Sequence, residues 1–351
     1  MTASTVDWSV AEATAKRLVR PGPEVTHDEA ADVVEHLREA STRAEQHVTE
    51  ATGLEVDGPK APVLVVDRPN WVSANIDAFA EILAPLNADG TGWSTVTTRI
   101  SGVEVGALMS YLAGKVLGQF DPYFVPDTVN AAGGPGGRLL LVAPNIVAAE
   151  RELDVDVADF RLWVCLHEET HRVQFTHARP GGTPWLRDHL RSMINDLVTT
   201  ADLDAGALAS MVRTAAARFR QSDRSEMSLI DLVQNDGQRE LVDRITAIMS
   251  LLEGHADVIM DDVGPQVIPS VARIRASFDR RRKSEGIDRV FRRLIGLDAK
   301  MRQYEEGAAF CRAVMAKVGM AGLNEVFNSP ETLPTMAEVA SPQRWLGRVH
   351  G

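Results

Sequence analysis

The chain has 351 residues, 44% of them hydrophobic and 25% charged, enough apolar surface for one large core or two smaller ones. A formal net charge of −12 argues against non-specific nucleic-acid binding and against attraction to an anionic membrane surface. No stretch approaches the roughly 20 apolar residues of a membrane span, and Met1 to Val25 lacks the unbroken apolar centre of a signal peptide.

From Val6 to about Glu50 the pattern is helical and amphipathic. Val10, Ala13, Ala15 and Leu18 lead to a break at Pro21-Gly22-Pro23. Thr26 stands three residues before Glu29, the spacing of a capping box, ahead of a helix through Val33, Val34 and Leu37. His27, His36 and His47 have no acidic or cysteine partner at ligand spacing and are expected on the surface. Residues 1–60 read as an N-terminal helical segment and 61–351 as the main domain.

Val63 to Val66 is short and β-branched, a strand or the lead into the next helix. Asn70 to Leu86 reads as a helix. Gly102 to Leu117 is another, in which Gly106, Ala107, Ala113 and Gly114 allow close helix packing; it lacks the Gly-Lys-Ser/Thr ending of a phosphate loop. Gln119–Val129 and Arg138–Val142 are strand-like and flank the glycine-rich Asn130–Gly137, which predicts a hairpin over about 119–143. An edge strand there could hold an extended peptide by strand addition.

Further helices are expected over about 156–176, Trp185–Ala201, Leu208–Arg220, about 239–262 and Gln303–Val318, with Ser222–Asp231 a polar link. Pro180–Pro184 and Gly264-Pro265 are expected to close the first and fourth of these. The basic run Ser277–Lys283, with Arg289, Arg292 and Arg293, reads as a solvated helix face; a carboxylate-binding or partner patch is the sharper alternative. The tail from Asn328 to Gly351 is expected to wrap the surface. Cys165 and Cys311 fall in apolar helical patterns and read as reduced core residues of a cytoplasmic protein, with a disulfide between them left open. The fold class is mainly α with a small β-sheet.

The chemistry concentrates in Trp163–Gln174, WVCLHEETHRVQ. His167 and His171, four apart on a helix, lie one above the other, so both imidazoles can reach one metal ion. Glu168 is rotated about 100° from His167, a placement that suits a base beside an activated water. This is the zinc-hydrolase pattern H-E-x-x-H. Glu169 is rotated by about 200° and is expected in solvent or in a salt bridge. A helix can also carry these residues with no metal bound, so a third ligand decides.

Two residues compete for that role. His177 stands six residues after His171, the offset of the longer motif H-E-x-x-H-x-x-G-x-x-H, but Gln174 occupies the place of its glycine. Glu253, in Leu251-Leu-Glu-Gly-His-Ala-Asp257, is the stronger candidate. It shares a helical stripe with Met249 and Asp257, and a carboxylate on an otherwise apolar face needs a cation or an arginine as partner. Asp257 is placed to accept the outer N–H of a histidine ligand. Such an E-x-x-x-D after H-E-x-x-H is the gluzincin arrangement. His255 faces another side and reads as a packing residue, with a donor at the rim of the site as the alternative.

HEETHRVQF, TPWLRDHL and LLEGHADVIMD resemble an actinobacterial zincin-like hydrolase family, as do DRPNWVSANIDAF, VLGQFDPY, LLLVAPNI, KMRQYEEGAAFCRAV, SPETLPT and PQRW. Some members carry the label zinc-dependent metalloprotease, and one branch is associated with biosynthesis of a deazaflavin coenzyme. The resemblance covers most of the chain from about Val63. It implies a zincin-like, gluzincin-type architecture with one Zn2+ per chain on His167, His171 and Glu253, and Glu168 as base. Zinc would then activate a water whose proton Glu168 passes to the leaving amine. Tyr304 is a candidate oxyanion donor, with a core or interface tyrosine as its plainer reading. The expected substrate is a peptide or a small amide. The rivals are a non-catalytic scaffold on the same fold and a metal-dependent hydrolase of a small metabolite. An intact Glu168 argues against the scaffold. Nothing in the sequence speaks to oligomeric state.

Overall fold

The computed structural model describes residues 6–54, 56, 60–83, 95–124, 136–179, 181–200, 236–284 and 301–351, without the side chains of 95–101, 198–200, 278–284 and 301–305. The expected helix Leu208–Arg220, the link Ser222–Asp231 and the arginines 289, 292 and 293 lie outside the described residues.

Helix α1 (Trp8–Leu18) starts at Asp7, whose side chain accepts from the Val10 N–H. Helix α2 (His27–Thr52) starts on the capping box that the spacing predicts. The Thr26 hydroxyl accepts from the Glu29 N–H at 3.2 Å, and the Glu29 carboxylate accepts from the Thr26 N–H at 2.7 Å. His27 and His36 are exposed and His47 is half-buried.

Strand β1 (Val63–Val66) runs into α3 (Arg68–Ile82), capped by Asp67. Helix α4 (Thr95–Leu112) crosses α1 at glycines. A β-carbon on Gly102 would stand 2.6 Å from the Asp7 carbonyl oxygen, and one on Gly106 would meet the Ala11 carbonyl. Close helix packing is therefore the role of this glycine-rich stretch.

Strands β2 (Gly118–Asp121) and β3 (Arg138–Val142) pair antiparallel, Phe120 opposite Leu139, while β1 pairs parallel with β3, Val63 opposite Leu139. The sheet order is β1-β3-β2, so the predicted hairpin pairing is present but belongs to a three-stranded sheet. The first hairpin strand is also shorter than expected: it stops at Asp121. Pro122 has no N–H for the ladder, and the Asp121 carboxylate turns the chain by accepting from the Tyr123 N–H at 3.1 Å. Arg138 closes the hairpin with an ion pair to Asp121 at 3.0 Å.

Alternation along β3 divides the apolar core. Leu139 and Leu141 face a large cluster built with residues of α2 and the helices that follow the sheet. Leu140 and Val142 face a smaller cluster with α1, α3 and α4. Trp71, Asn75 and Gln119 then tie α3 to β2. The Trp71 indole donates to Gln119, the Gln119 amide to Asn75, and the Asn75 amide to the Trp71 carbonyl, each at 2.9 Å.

After β3 come α5 (Ala143–Leu153), α6 (Val157–Thr176), α7 (Leu186–Thr200), α8 (Asp236–Val267), α9 (Val271–Ser284) and α10 (Met301–Asn324). Gly264-Pro265 does not end α8, which runs on to Val267. The proline costs one backbone bond near the helix end, and the Gly264 carbonyl still accepts from the Ile268 N–H at 2.8 Å.

The tail is a second correction. After turns at Glu325–Phe327 and Pro330–Thr332 it forms α11 (Met336–Val339) and α12 (Pro342–Val349) and enters the core instead of wrapping the surface. Trp345 is fully buried edge-on to Phe310, ring centroids 5.7 Å apart, and donates to the Thr332 carbonyl at 2.8 Å. Its apolar bulk and single N–H, met by one carbonyl, account for that burial. Cys165 and Cys311 are both buried and free.

Candidate metal centre

Helix α6 is clamped from behind. Glu169 is buried toward α2, where it accepts from the Ser41 hydroxyl at 2.8 Å and pairs with Arg172. Arg172 also lies 3.3 Å from Glu45 of α2. Burial raises the Glu169 carboxyl above its ordinary range while Arg172 opposes the shift. The salt bridge expected of Glu169 is present, but in the core. On the next side, Arg161 grips Glu150 of α5 through two bonds of 2.8 and 3.1 Å. These contacts set the rotation of the helix, and residues 167, 168 and 171 are presented on the remaining face.

There, the Nε2 atoms of His167 and His171 are 3.1 Å apart, and the Glu253 carboxylate of α8 turns a different oxygen to each, Oε2 at 3.7 Å from His167 and Oε1 at 3.7 Å from His171. One ligand atom from each residue lies within 4.8 Å of the others, and this is the metal-competent group among the described residues. Ligand atoms around a tetrahedral zinc stand roughly 3.3 Å apart, a spacing that these separations bracket. Two imidazole nitrogens and one carboxylate oxygen are also a donor set that suits zinc. The residues present fit the ion.

Close approach of two backbones sets the position of Glu253. A β-carbon on its neighbour Gly254 would run into the backbone of Gly307 in α10, and one on Gly307 would run into the Ser250 carbonyl. The two glycines let α8 and α10 touch, which fixes the height of Glu253 above α6.

Glu168 is buried and faces β2. The strand reaches it because residue 118 is glycine: a β-carbon there would stand 2.5 Å from the Glu168 Cγ. Burial pushes the Glu168 carboxyl up to about 7; His171 opposes the shift, Glu253 reinforces it, and the Phe120 backbone N–H, donating to the carboxylate, opposes it again. A carboxyl poised near neutrality is suited to taking and returning a proton.

The other predicted residues fall as follows. His177 caps the end of α6 and is outside the converging group. His255 is fully buried, with its ring 5.3 Å from Phe327, and burial holds it down at about 3, so it packs as a neutral ring. Asp257 is exposed on α8, where its charge bears on Cys311 of α10. The Nδ1 of His171 is met by Gln174, at 2.9 Å. Tyr304 lies in the first turn of α10, and its side chain is outside the described part. Gly118, the Phe120 amide and Gln174 were not anticipated. For Gln174 a signal exists: three residues after His171, it shares that face of the helix.

A mainly helical body, a three-stranded sheet whose edge strand borders a buried glutamate, and a His–His–Glu cluster from two helices define the class: a zincin-like protein with a cluster able to hold a metal ion. The chain belongs to the zincin-like metallopeptidase family, whose model matches residues 6–346. It is also similar to a protein from Chloroflexus aurantiacus whose crystal structure is described as that of "a putative hydrolase with a novel fold". The two share 29% identity with a TM-score of 0.68, over 98% of this chain and 99% of the other. No curated protein matches the chain. The match is to the family as a whole and does not single out an actinobacterial or coenzyme-associated branch. Among the described residues no helix is long and apolar enough to cross a membrane.

Proposed function

We propose that the protein is a zinc-dependent hydrolase of amide bonds, in the gluzincin arrangement, with His167, His171 and Glu253 as ligands and Glu168 as general base. The observation that carries this reading is the convergence of Glu253 from α8 on both histidines of α6, beside a buried carboxylate. Zinc held there supplies Lewis acidity, lowering the pKa of a water to about 7 and polarising a carbonyl. Glu168 takes the proton of the attacking water and returns it to the leaving amine, while the Phe120 N–H keeps its carboxylate in place.

The edge of β2 alongside Glu168 supports a peptide substrate over a small metabolite, because strand addition supplies backbone bonds along an extended chain. A scaffold with no chemistry leaves Glu168 unexplained: burying a carboxyl costs free energy, and a structural zinc site needs no base. The two buried, unpaired cysteines support a reducing compartment such as the cytoplasm.

The test begins with metal analysis of protein purified without chelators, where about one zinc per chain is expected. Glu253→Ala should abolish binding and His177→Ala should preserve it. Glu168→Gln should keep the zinc and lose turnover of a peptide library. A protein that neither holds nor rebinds metal, or a Glu168→Gln variant with full turnover, overturns the reading.

A further inference from the structure

Gln174 bonds to both helices that carry the ligand triad, and its three hydrogen bonds admit one arrangement. Its amide nitrogen lies 2.9 Å from the carbonyl oxygen of Leu252 in α8. A carbonyl only accepts, so this contact fixes which end of the amide is nitrogen. The amide oxygen then faces the His171 Nδ1 at 2.9 Å. An amide oxygen also only accepts, so His171 Nδ1 carries the proton and Nε2 keeps its lone pair. That Nε2 is the atom turned toward His167 and Glu253.

The same amide nitrogen lies 3.0 Å from His255 Nδ1. With both hydrogens of the amide donated, His255 Nδ1 must accept, and its own proton sits on Nε2. That Nε2 is buried without a hydrogen-bond partner, which costs free energy. The opposite tautomer would turn an N–H against the Gln174 amide and invite the amide to flip. The orphaned donor is thus the counterpart of a correctly oriented glutamine.

We propose that Gln174, locked by the Leu252 carbonyl and by His255, is the positioning residue that holds His171 in the Nδ1–H tautomer and presents its Nε2 to the metal. It meets His171 with a neutral amide, where a carboxylate or backbone carbonyl often meets a ligating histidine. This inference rests on the metal-site reading above, and its consequences separate from that reading. Partners that orient a ligating histidine in this way set metal affinity as well as ring orientation.

The experiment compares zinc affinity, by competition with a chromophoric chelator, and the melting temperature of the metal-free protein in wild type, Gln174→Leu and Gln174→Glu. Gln174→Leu should weaken zinc binding by about 10–100-fold. Gln174→Glu still offers His171 an acceptor and should recover most of that loss, although it forfeits the donor to Leu252 and melts no higher than Gln174→Leu. If Gln174 only braces α6 against α8, affinity will follow melting temperature and Gln174→Glu will be as weak as Gln174→Leu; that result overturns the proposal.

Should neither variant fold, two-bond 15N–1H correlations of the metal-free wild type decide. A proton on His171 Nδ1 supports the proposal and a proton on Nε2 overturns it. Wild-type protein that binds no zinc while His171 shows the Nδ1–H form would sink the metal-site reading and leave the positioning geometry standing.

Discussion

Gly118 lies against Glu168 so closely that a β-carbon at position 118 would stand 2.5 Å from the Glu168 Cγ and 2.8 Å from its Oε1. The strand that borders the site and the residue proposed as its base thus occupy space that no other side chain could share. Gly118→Ala should push the carboxylate aside without touching the three ligands. Zinc content should stay at the wild-type level while turnover falls by about 10²-fold, the effect of a misplacement of roughly 1 Å. Unchanged turnover would show that Glu168 has room to give.

Gly254 and Gly307 make the matching test on the ligand side. Adding a methyl group at either position forces α8 and α10 apart and should cost about 1–3 kcal/mol or more. Because Glu253 is the neighbour of Gly254, zinc affinity should fall together with the melting temperature. Gly254→Ala with wild-type stability and affinity would refute the close contact.

The adjacent residues Glu168 and Glu169 should respond in opposite ways to loss of charge. Glu169→Gln leaves Arg172 with a weakened partnership in the core and should destabilise the fold, by up to about 3–5 kcal/mol if the pair is broken outright. Glu168→Gln removes a carboxyl that burial disfavours and should leave the metal-free protein as stable as wild type or more so. Urea unfolding of the two metal-free variants checks the contrast; equal losses would contradict the assignment of one residue to structure and the other to chemistry.

Glu338 ties the tail together and gives it a pH dependence. Its carboxylate receives Arg348 through two bonds, 2.6 and 2.9 Å, and caps α11 at Thr335. Burial alone would raise its pKa, but the hydrogen bonds from Arg348 and Thr335 outweigh burial and the carboxyl is held below its ordinary value. A carboxyl lowered in the folded state stabilises the fold above its unfolded pKa of about 4.3, and that stability is lost as pH falls through the folded value. Glu338→Gln should therefore melt below wild type at neutral pH, with the difference closing in acid. A difference independent of pH would show that the charge is not the cause.

How much of this was legible in the sequence follows the physics of each feature. His167, Glu168, His171 and Glu253 could be read because metal chemistry demands fixed residue types at helical spacing. The capping box at Thr26 and the helix-packing glycines were legible for the same local reason. The parallel pairing of β1 with β3 was not, since a run such as Val63–Val66 announces a strand but not its neighbour. Nor was the path of α8 through Pro265, or the burial of Trp345, because both depend on what lies alongside. The contact of Gln174 with His171 belongs here too. Which polar group reaches a ring nitrogen depends on how two helices meet, and several residue types can fill that place.

The clamp on the back of α6 bears on what happens when the chain is cut. Ser41 and Glu45 of α2 enclose Glu169 and Arg172, and Leu37, Ala40, Ala44 and Val48 of the same helix lie in the large core cluster. A fragment of residues 61–351 made by itself would bare the core face that this apolar stripe covers, together with the buried Glu169–Arg172 pair, and should be recovered as aggregate. Supplying residues 6–54 as a separate peptide would bring the stripe back and cover that face again. The metal centre would then be rebuilt by complementation between two chains, its ligands all on one and the support for their helix on the other.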